Sequence, residues 1–507
     1  MSSRLVFSFA LMIAAVVPVY AVDASVPDEL GRHLERGRHL QNVRALRLWY
    51  EARGGAPAWV DGASLTSAGE QALQTLFMGE DHGMDPDALA VHEIAALVEA
   101  LSSTSQPDRT AAEIDVRLSN ALVNLALGLH YGNDANAPDE WASASDWRAA
   151  AWSGLLDACL SDCAATMREL EPTMEVYTLM QGALRQYRLL EAQGGWPELR
   201  ATVEPSSEPS LILGLRARLA MEGYLDDVAT ESWDSTLSDA VHRYRDALHL
   251  SPVAHEGVDR VMLGALNTPV EDRVAAIEVT LQHLRESARG THDRGESVWI
   301  NVAGFWLEVW DDSDRLFRSR AIVGNTSGGG VNRTPLFADE MERIEVNPVW
   351  YPPPRLARNL QLSEANGVVR RNGRLIQLPG PSNPMGQVKF VFPNNHTVFL
   401  HHTSNPQLFD RTVRAYSSGC VRMDRAVELA TLLISRDQNR GPDEVRAWID
   451  EVLQGSVTEP VVLTRPIPVL LEYYTVWVAD DGTVEFYGDI YGYDRAARRR
   501  ALQRSDW

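Results

Sequence analysis

The chain has 507 residues, with 69 Asp and Glu against 47 Lys and Arg, and three cysteines. At roughly 150 residues per domain this length suggests about three domains, and a composition that is 45% hydrophobic and 8% aromatic excludes wholesale disorder. A net charge of −22 argues against nucleic acid as a partner, because phosphate affinity needs a positive surface.

The N-terminus carries Arg4, an apolar run over 5–17, Pro18 and the small-residue ending Val19-Tyr20-Ala21. That order of charged, apolar and cleavable segments reads as a secretory signal over 1–21, the alternative being an uncleaved anchor. The expected location is an oxidising, exported compartment, the periplasm. There the cysteine count becomes informative. Cys159 and Cys163 are four residues apart and are expected to bridge locally, which leaves Cys420 as an odd thiol, either an intermolecular partner or a reactive group.

Residues 28–200 read mostly as helix, with apolar residues at three- and four-residue spacing over 30–51, 111–127 and 177–192. Gly54-Gly55-Ala56-Pro57 and Gly83-Met84-Asp85-Pro86 punctuate them, and 132–147 is expected to be a loop. No chemical constellation falls in this region. A linker rich in Pro, Ser and Glu over 203–210 leads to a small unit spanning 211–285, with helices expected at 236–248 and 261–266. Its Gly223-Tyr224-Leu225 turn and the helix bearing His242-Arg243-Tyr244 resemble the three-helix peptidoglycan-binding module. Ala254-His255-Glu256-Gly257 replaces that module's usual Asp-Gly-x-x-Gly turn, so a plain helical spacer is the other reading.

From residue 296 the pattern changes to β-branched and aromatic runs, with strands expected at 298–302, 305–310, 319–323, 344–347, 388–392 and 398–401. Pro393-Asn394-Asn395 and Asp480-Asp481-Gly482 have hairpin-turn chemistry, and a helix is expected at 425–435. The expected architecture is multidomain α+β, with a β-rich C-terminal domain over 296–495.

His401-His402-Thr403 ends one of these strands, and Tyr416-Ser417-Ser418-Gly419-Cys420-Val421-Arg422 comes next. A cysteine nucleophile needs a neighbouring base or cation to activate it, and a Ser-Gly turn aims several amides at one point, as an oxyanion requires. Arg422 adds a fixed positive charge beside the thiol, suited to a carboxylate-bearing substrate. A packing cysteine is the bland alternative. A metal site is a third, although adjacent histidines on a strand point oppositely and three or four convergent ligands are needed.

His401-x-Thr403 followed by Ser417-Ser418-Gly419-Cys420-Val421-Arg422 resembles the signature of L,D-transpeptidases with a YkuD-type catalytic domain. Thr334-Pro335-Leu336-Phe337, Asn347-Pro348-x-Trp350, Asn383-Pro384-Met385-Gly386 and Asp489-Ile490-Tyr491 extend the likeness to the large, multidomain members of that family. The resemblance implies Cys420 as nucleophile, His401 as general base, and an oxyanion hole of the Ser418, Gly419 and Cys420 amides. Arg422, Thr403, Tyr416 and Ser417 become candidate substrate contacts. His402 stands where the family more often has Gly or Asp, and strand alternation would put its ring opposite that of His401. The implied partners are peptidoglycan stem peptides, donor and acceptor, and glycan strands for the 211–285 unit. The membrane is a partner only if the signal stays uncleaved. No cofactor and no metal are implied. Water or a lipoprotein lysine as acceptor would instead give a carboxypeptidase or an attachment enzyme, a loss of chemistry would leave a wall-binding scaffold, and carbapenems would acylate Cys420. Only 359–382 stands where large members carry a lid-like insertion, so a reduced lid and a more open acceptor pocket are expected.

Overall fold

A computed structural model describes residues 31–32, 42–132, 146–287, 295–312, 314–353, 357–358 and 361–496. The signal at 1–21 and most of the loop at 132–147 lie outside them. No helix among the described residues is long and apolar enough to cross a membrane. The chain divides into two compact units, one holding residues up to Thr173 and the other built from Met174–His283 and Gly290–Arg500.

The first unit is helical: α1 (Val43–Ala52), α2 (Ser67–Leu76), α3 (Val91–Leu101), α4 (Pro107–Tyr131) and α5 (Asp146–Arg168). Thr66 caps α2 by accepting the Gly69 amide, and Pro107 sits in the first turn of α4, where its missing N–H costs nothing. Gly69 has a packing reason, since a Cβ there would lie 2.1 Å from the Trp59 carbonyl. The core gathers Leu46, Trp49 and Trp59 around α4, whose buried residues run from Ala111 to Leu129. Cys159 and Cys163 are buried in α5 as free thiols, their sulfurs 2.7 Å apart. The expected disulfide is therefore not what this structure holds. Four-residue spacing brings the sulfurs into contact, and the non-helical Asp162 (φ −155°) interrupts α5 between them.

In the second unit α6 (Glu175–Ala192) precedes the small helical module α7 (Pro209–Met221), α8 (Ser235–Ala247), α9 (Arg260–Leu266) and α10 (Val270–Ser287) as far as His283. Asp234 and Asp259 cap α8 and α9. Three buried arginines fill this small core, Arg216 paired with Asp234 (2.6 Å), Arg218 with Glu222 (2.5 Å) and Arg245 with Asp259 (3.2 Å). Their stems supply apolar volume while their charges stay paired. The module packs on the β-domain through His249, whose ring stacks on Tyr487 and whose Nε2 lies 3.3 Å from Glu485. The boundary expected near residue 200 falls earlier, because α6 packs with the C-terminal part of the chain. Its Tyr187 ring meets Phe486 edge-on, and the Tyr187 hydroxyl donates to Glu222 at 2.7 Å.

The β-domain is built from β1 (Glu296–Asn301), β2 (Trp306–Asp311), β3 (Asp314–Gly324), β4 (Phe337–Val346), β5 (Val388–Val391), β6 (Leu400–His401), β7 (Ala415–Ser417), β8 (Val421–Met423) and β9 (Glu459–Glu472). Their order is β7-β3-β8-β6-β5-β4-β9-β1-β2, and β2 pairs again with β3, so the sheet closes on itself. Closure leaves the short β7, paired only with β3, as the one strand of this sheet with a single partner among the described residues. Helices α11 (Ala426–Gln438) and α12 (Pro442–Gln454) come after β8. The longest strand, β9, carries Pro460, Pro466 and Pro468, which hid it in the sequence. Its ladder with β4 breaks register between Val462 and Ile467, where the missing amide of Pro466 is tolerated, while Pro460 and Pro468 lie in the paired stretches. The 359–382 connector also holds a hairpin of Val368–Arg371 with Arg374–Gln377.

Candidate active site

The site arises from the register of three short strands. β6 pairs in parallel with β8, His401 opposite Arg422, and antiparallel with β5, His401 opposite Lys389. Paired residues share a sheet face, so one imidazole lies between two cations. Burial first, then the Arg422 and Lys389 charges, push the His401 imidazole down to about 3. The ring is therefore neutral at any physiological pH. His401 Nδ1 lies 2.5 Å from the His402 carbonyl oxygen, which can only accept, so Nδ1 carries the proton. The Nε2 lone pair is left without a partner among the described residues.

Cys420 lies just before β8, and its thiol feels the same Arg422 and Lys389 charges that act on His401. Burial raises its thiol above the ordinary value, while the Phe399 amide and the Arg422 and Lys389 charges pull the other way. The resting pair is a neutral thiol and a neutral imidazole, with a positive potential waiting for any anion formed there. Arg422 has a buried Nε without a hydrogen-bond partner and no carboxylate in ion-pair range among the described residues.

His402 turns elsewhere. Its Nδ1 accepts the Gln387 amide at 3.3 Å, and its ring lies against Gly386. Gly386 has φ +64°, and a Cβ on it would come within 2.7 Å of both His402 Nδ1 and the Thr403 amide. A glycine is required for this loop to seat beside the histidines.

The loop before Cys420 is braced from within. Ser417 Oγ donates to the Cys420 carbonyl at 2.5 Å and accepts the Gly419 amide at 3.1 Å. Gly419 thus differs from expectation: of the three amides assigned to an oxyanion hole, its own is engaged. The amides of Ser418 and Cys420 have no acceptor among the described residues and flank the turn that Gly419, at φ +119°, makes possible. The Gly419 carbonyl accepts from Thr334 Oγ1 at 2.9 Å, and Thr334 Oγ1 accepts the Gly324 amide at 2.9 Å. Tyr491 Oη donates to the Gly324 carbonyl at 2.6 Å and accepts the Thr334 amide at 3.0 Å. Residues from three distant stretches thereby fix one turn.

Two of the candidate substrate contacts are internal. Thr403 is buried and accepts the Asn405 amide at 3.1 Å, closing the turn after β6, and Ser417 is spent on the loop. Tyr416 is exposed and Arg422 is open to an anion. Lys389, Thr334 and Tyr491 were missed as working parts. Only their place in motif blocks marked them, Lys389 in the block that runs from Asn383 to Phe390, and no local pattern announces a hydroxyl 85 residues upstream of its acceptor.

Residues 295–446 match the YkuD family, the L,D-transpeptidase catalytic domain, and residues 44–184 match the family of the Scaffold domain. A putative L,D-transpeptidase of Haemophilus influenzae is 29% identical over 232 residues, 40% of this chain and 45% of that protein. The chain thus spans less than half the length of this relative. Two solved structures align at lower identity. An L,D-transpeptidase (Yku) from Stackebrandtia nassauensis has 13% identity over 54% of this chain and 92% of its own, with a TM-score of 0.21. An L,D-transpeptidase from Xylanimonas cellulosilytica has 16% identity over 54% and 99%, with a TM-score of 0.18.

Proposed function

From the premise that this chain joins a scaffold domain to a YkuD L,D-transpeptidase catalytic domain, we propose that it is an exported peptidoglycan L,D-transpeptidase in which Cys420 is the nucleophile and His401 the base. The observation that carries this reading is the register of β6 on β8, which puts His401 beside Arg422, together with the Arg422 and Lys389 charges that act on both the His401 ring and the Cys420 thiol.

The chemistry then runs without a preformed ion pair. His401 Nε2 takes the Cys420 proton as the sulfur attacks the carbonyl between the third stem residue and the terminal D-amino acid. The tetrahedral oxyanion rests on the Ser418 and Cys420 amides under the Arg422 charge. Its collapse breaks the C–N bond, and the departing amine takes the proton back from His401. An amine of a second stem attacks the thioester, gives its proton to His401, and leaves a cross-link between third residues with the thiol restored. The neutral, Nδ1-protonated ring supports each proton transfer, since it starts every half-reaction with a free lone pair.

The test incubates full-length protein with a disaccharide tetrapeptide and tracks mass. A cross-linked dimer lacking one D-amino acid supports the reading. Loss of the D-amino acid alone assigns a carboxypeptidase, and no Cys420-dependent product overturns both. Export to the periplasm rests on the pattern of residues 1–21, and N-terminal mass of protein recovered from the cell envelope checks it. An intact Met1 in the cytosolic fraction would refute it.

A further inference from the structure

The chain is strongly acidic, yet the stretch from Ala365 to Met423 has one acid, Asp410, against six arginines and Lys389. At 69 acids in 507 residues, a stretch of that length would carry about eight. Even Asp410 is occupied, 3.2 Å from Arg320. Elsewhere on this domain several arginines hold carboxylates, as Arg425 does Glu428 and Arg440 does Glu444. Here they do not. Arg370, Arg371 and Arg374 are exposed on the hairpin of Val368–Arg371 and Arg374–Gln377, and none has a carboxylate in ion-pair range among the described residues.

This hairpin is a mounted arm. Its tip, Asn372-Gly373, has both φ angles positive (48° and 78°), the conformation that matches strand twist in a two-residue turn. Arg370 Nη1 donates to the Gly373 carbonyl at 3.0 Å, which holds its guanidinium at the tip. The base is tied down by two backbone bonds of 2.9 Å between Trp350 and Gln377, and by Gln377 Nε2 donating to Asn366 O and Ser382 O at 2.8 and 3.0 Å. From Gln377 the chain passes Asn383, whose Nδ2 donates to Pro348 O at 2.9 Å, and reaches Gly386 packed on His402. Three guanidinium groups without a carboxylate are thus fixed to the segment that seats the catalytic histidine strand.

We propose that this hairpin is a substrate-recruiting arm that binds the free carboxylates of acidic peptides, the stem peptides of the reaction above, before acyl transfer at Cys420. The assignment rests on that reaction for the identity of the peptide, and on charge for its chemistry. Arginine forks suit carboxylates, and a local positive field in an acidic protein confines anionic substrate to one face.

Binding separates this assignment from the chemistry. Full-length Cys420→Ala protein is titrated with a fluorescent disaccharide tetrapeptide, once with free carboxylates and once with all of them amidated. The Arg370→Gln/Arg371→Gln/Arg374→Gln variant should bind the free-carboxylate form about tenfold more weakly. The corresponding triple Lys variant should stay close to the parent, and the difference should shrink at high salt. The amidated peptide should bind parent and variants alike. Unchanged affinity in the Gln variant at an unchanged thermal transition would overturn the assignment. So would equal sensitivity with the amidated peptide, or displacement by polyphosphate as effective as by acidic peptide. Absence of Cys420-dependent product in wild type, with arginine-dependent binding intact, would overturn the acyl-transfer reading alone.

Discussion

Asp115 in the helical unit and His401 in the β-domain are both ionisable side chains buried from solvent, and they are partnered in opposite ways. Asp115 accepts the Tyr50 hydroxyl at 2.6 Å and the amides of Ala58, Trp59 and Val60 at 3.0, 2.7 and 3.1 Å. Every strong acceptor position is used, and the group holds the 58–60 turn against α4. His401 is fixed at Nδ1 only, and Nε2 is left open. The cysteines divide the same way. Cys159 and Cys163 lie buried sulfur against sulfur, whereas Cys420 sits among an amide and two cations with no thiol partner. A fully satisfied buried group is structure, and a half-satisfied one retains a lone pair or a proton for chemistry.

The contrast can be broken most sharply at Cys420. Replacing it with Ala should lower product formation at least on the order of 10³-fold, leaving only what binding and the amides supply. Intact mass should show a carbapenem adduct on wild type and none on the variant. His401→Gln keeps a polar side chain but removes the proposed base, and kcat should fall by roughly 10²- to 10⁴-fold. His402→Gln should lose far less, and comparable losses would reassign the base.

Asp115→Ala should instead leave the chemistry and cost about 3 kcal/mol or more in urea denaturation, because it orphans a buried hydroxyl and three amides. A loss below about 1 kcal/mol would mean that water replaces the carboxylate. Acid should separate the two sites again. His401 is about 3 in the fold and 6.5 when unfolded. Between those values the unfolded chain binds the extra proton, so stability is present above about pH 6.5 and is lost as pH falls towards 3. The loss attributable to this one ring between pH 6.5 and 4 is about 3 kcal/mol, measured as the difference in acid sensitivity between wild type and His401→Gln. The smallest effect is expected at Thr334→Val, which removes the bond to the Gly419 carbonyl. Turnover should drop about tenfold with a modest shift in the thermal transition, since the loop loses position and not a reacting group.

Much of this protein was legible before its fold. The α-to-β change near residue 296, the helices around 111–127 and 177–192, and the hairpins at Asn394 and Gly482 all stem from local periodicity and turn chemistry. Asn394 shows why: its amide spans the turn it occupies, reaching Phe392 O and Val398 O at 3.0 and 2.8 Å. β9 escaped because its three prolines argue against a strand, and of these only Pro466 falls in the register break against β4 while Pro460 and Pro468 sit in the paired ladder. The arginines in the small module's core escaped because no periodicity marks a buried cation.

What the sequence alone determined was the chemical inventory: a thiol, a candidate base, a glycine turn and a nearby guanidinium, all within a short stretch of chain. Which of two adjacent histidines stands between Arg422 and Lys389, which of three amides is engaged, and which hydroxyl holds the turn were decided by tertiary structure. The reason is physical. Local spacing controls what a residue's own backbone can do, but desolvation, tautomer and the occupancy of a hydrogen bond are set by neighbours such as Thr334 and Tyr491, which reach the site only when the sheet closes.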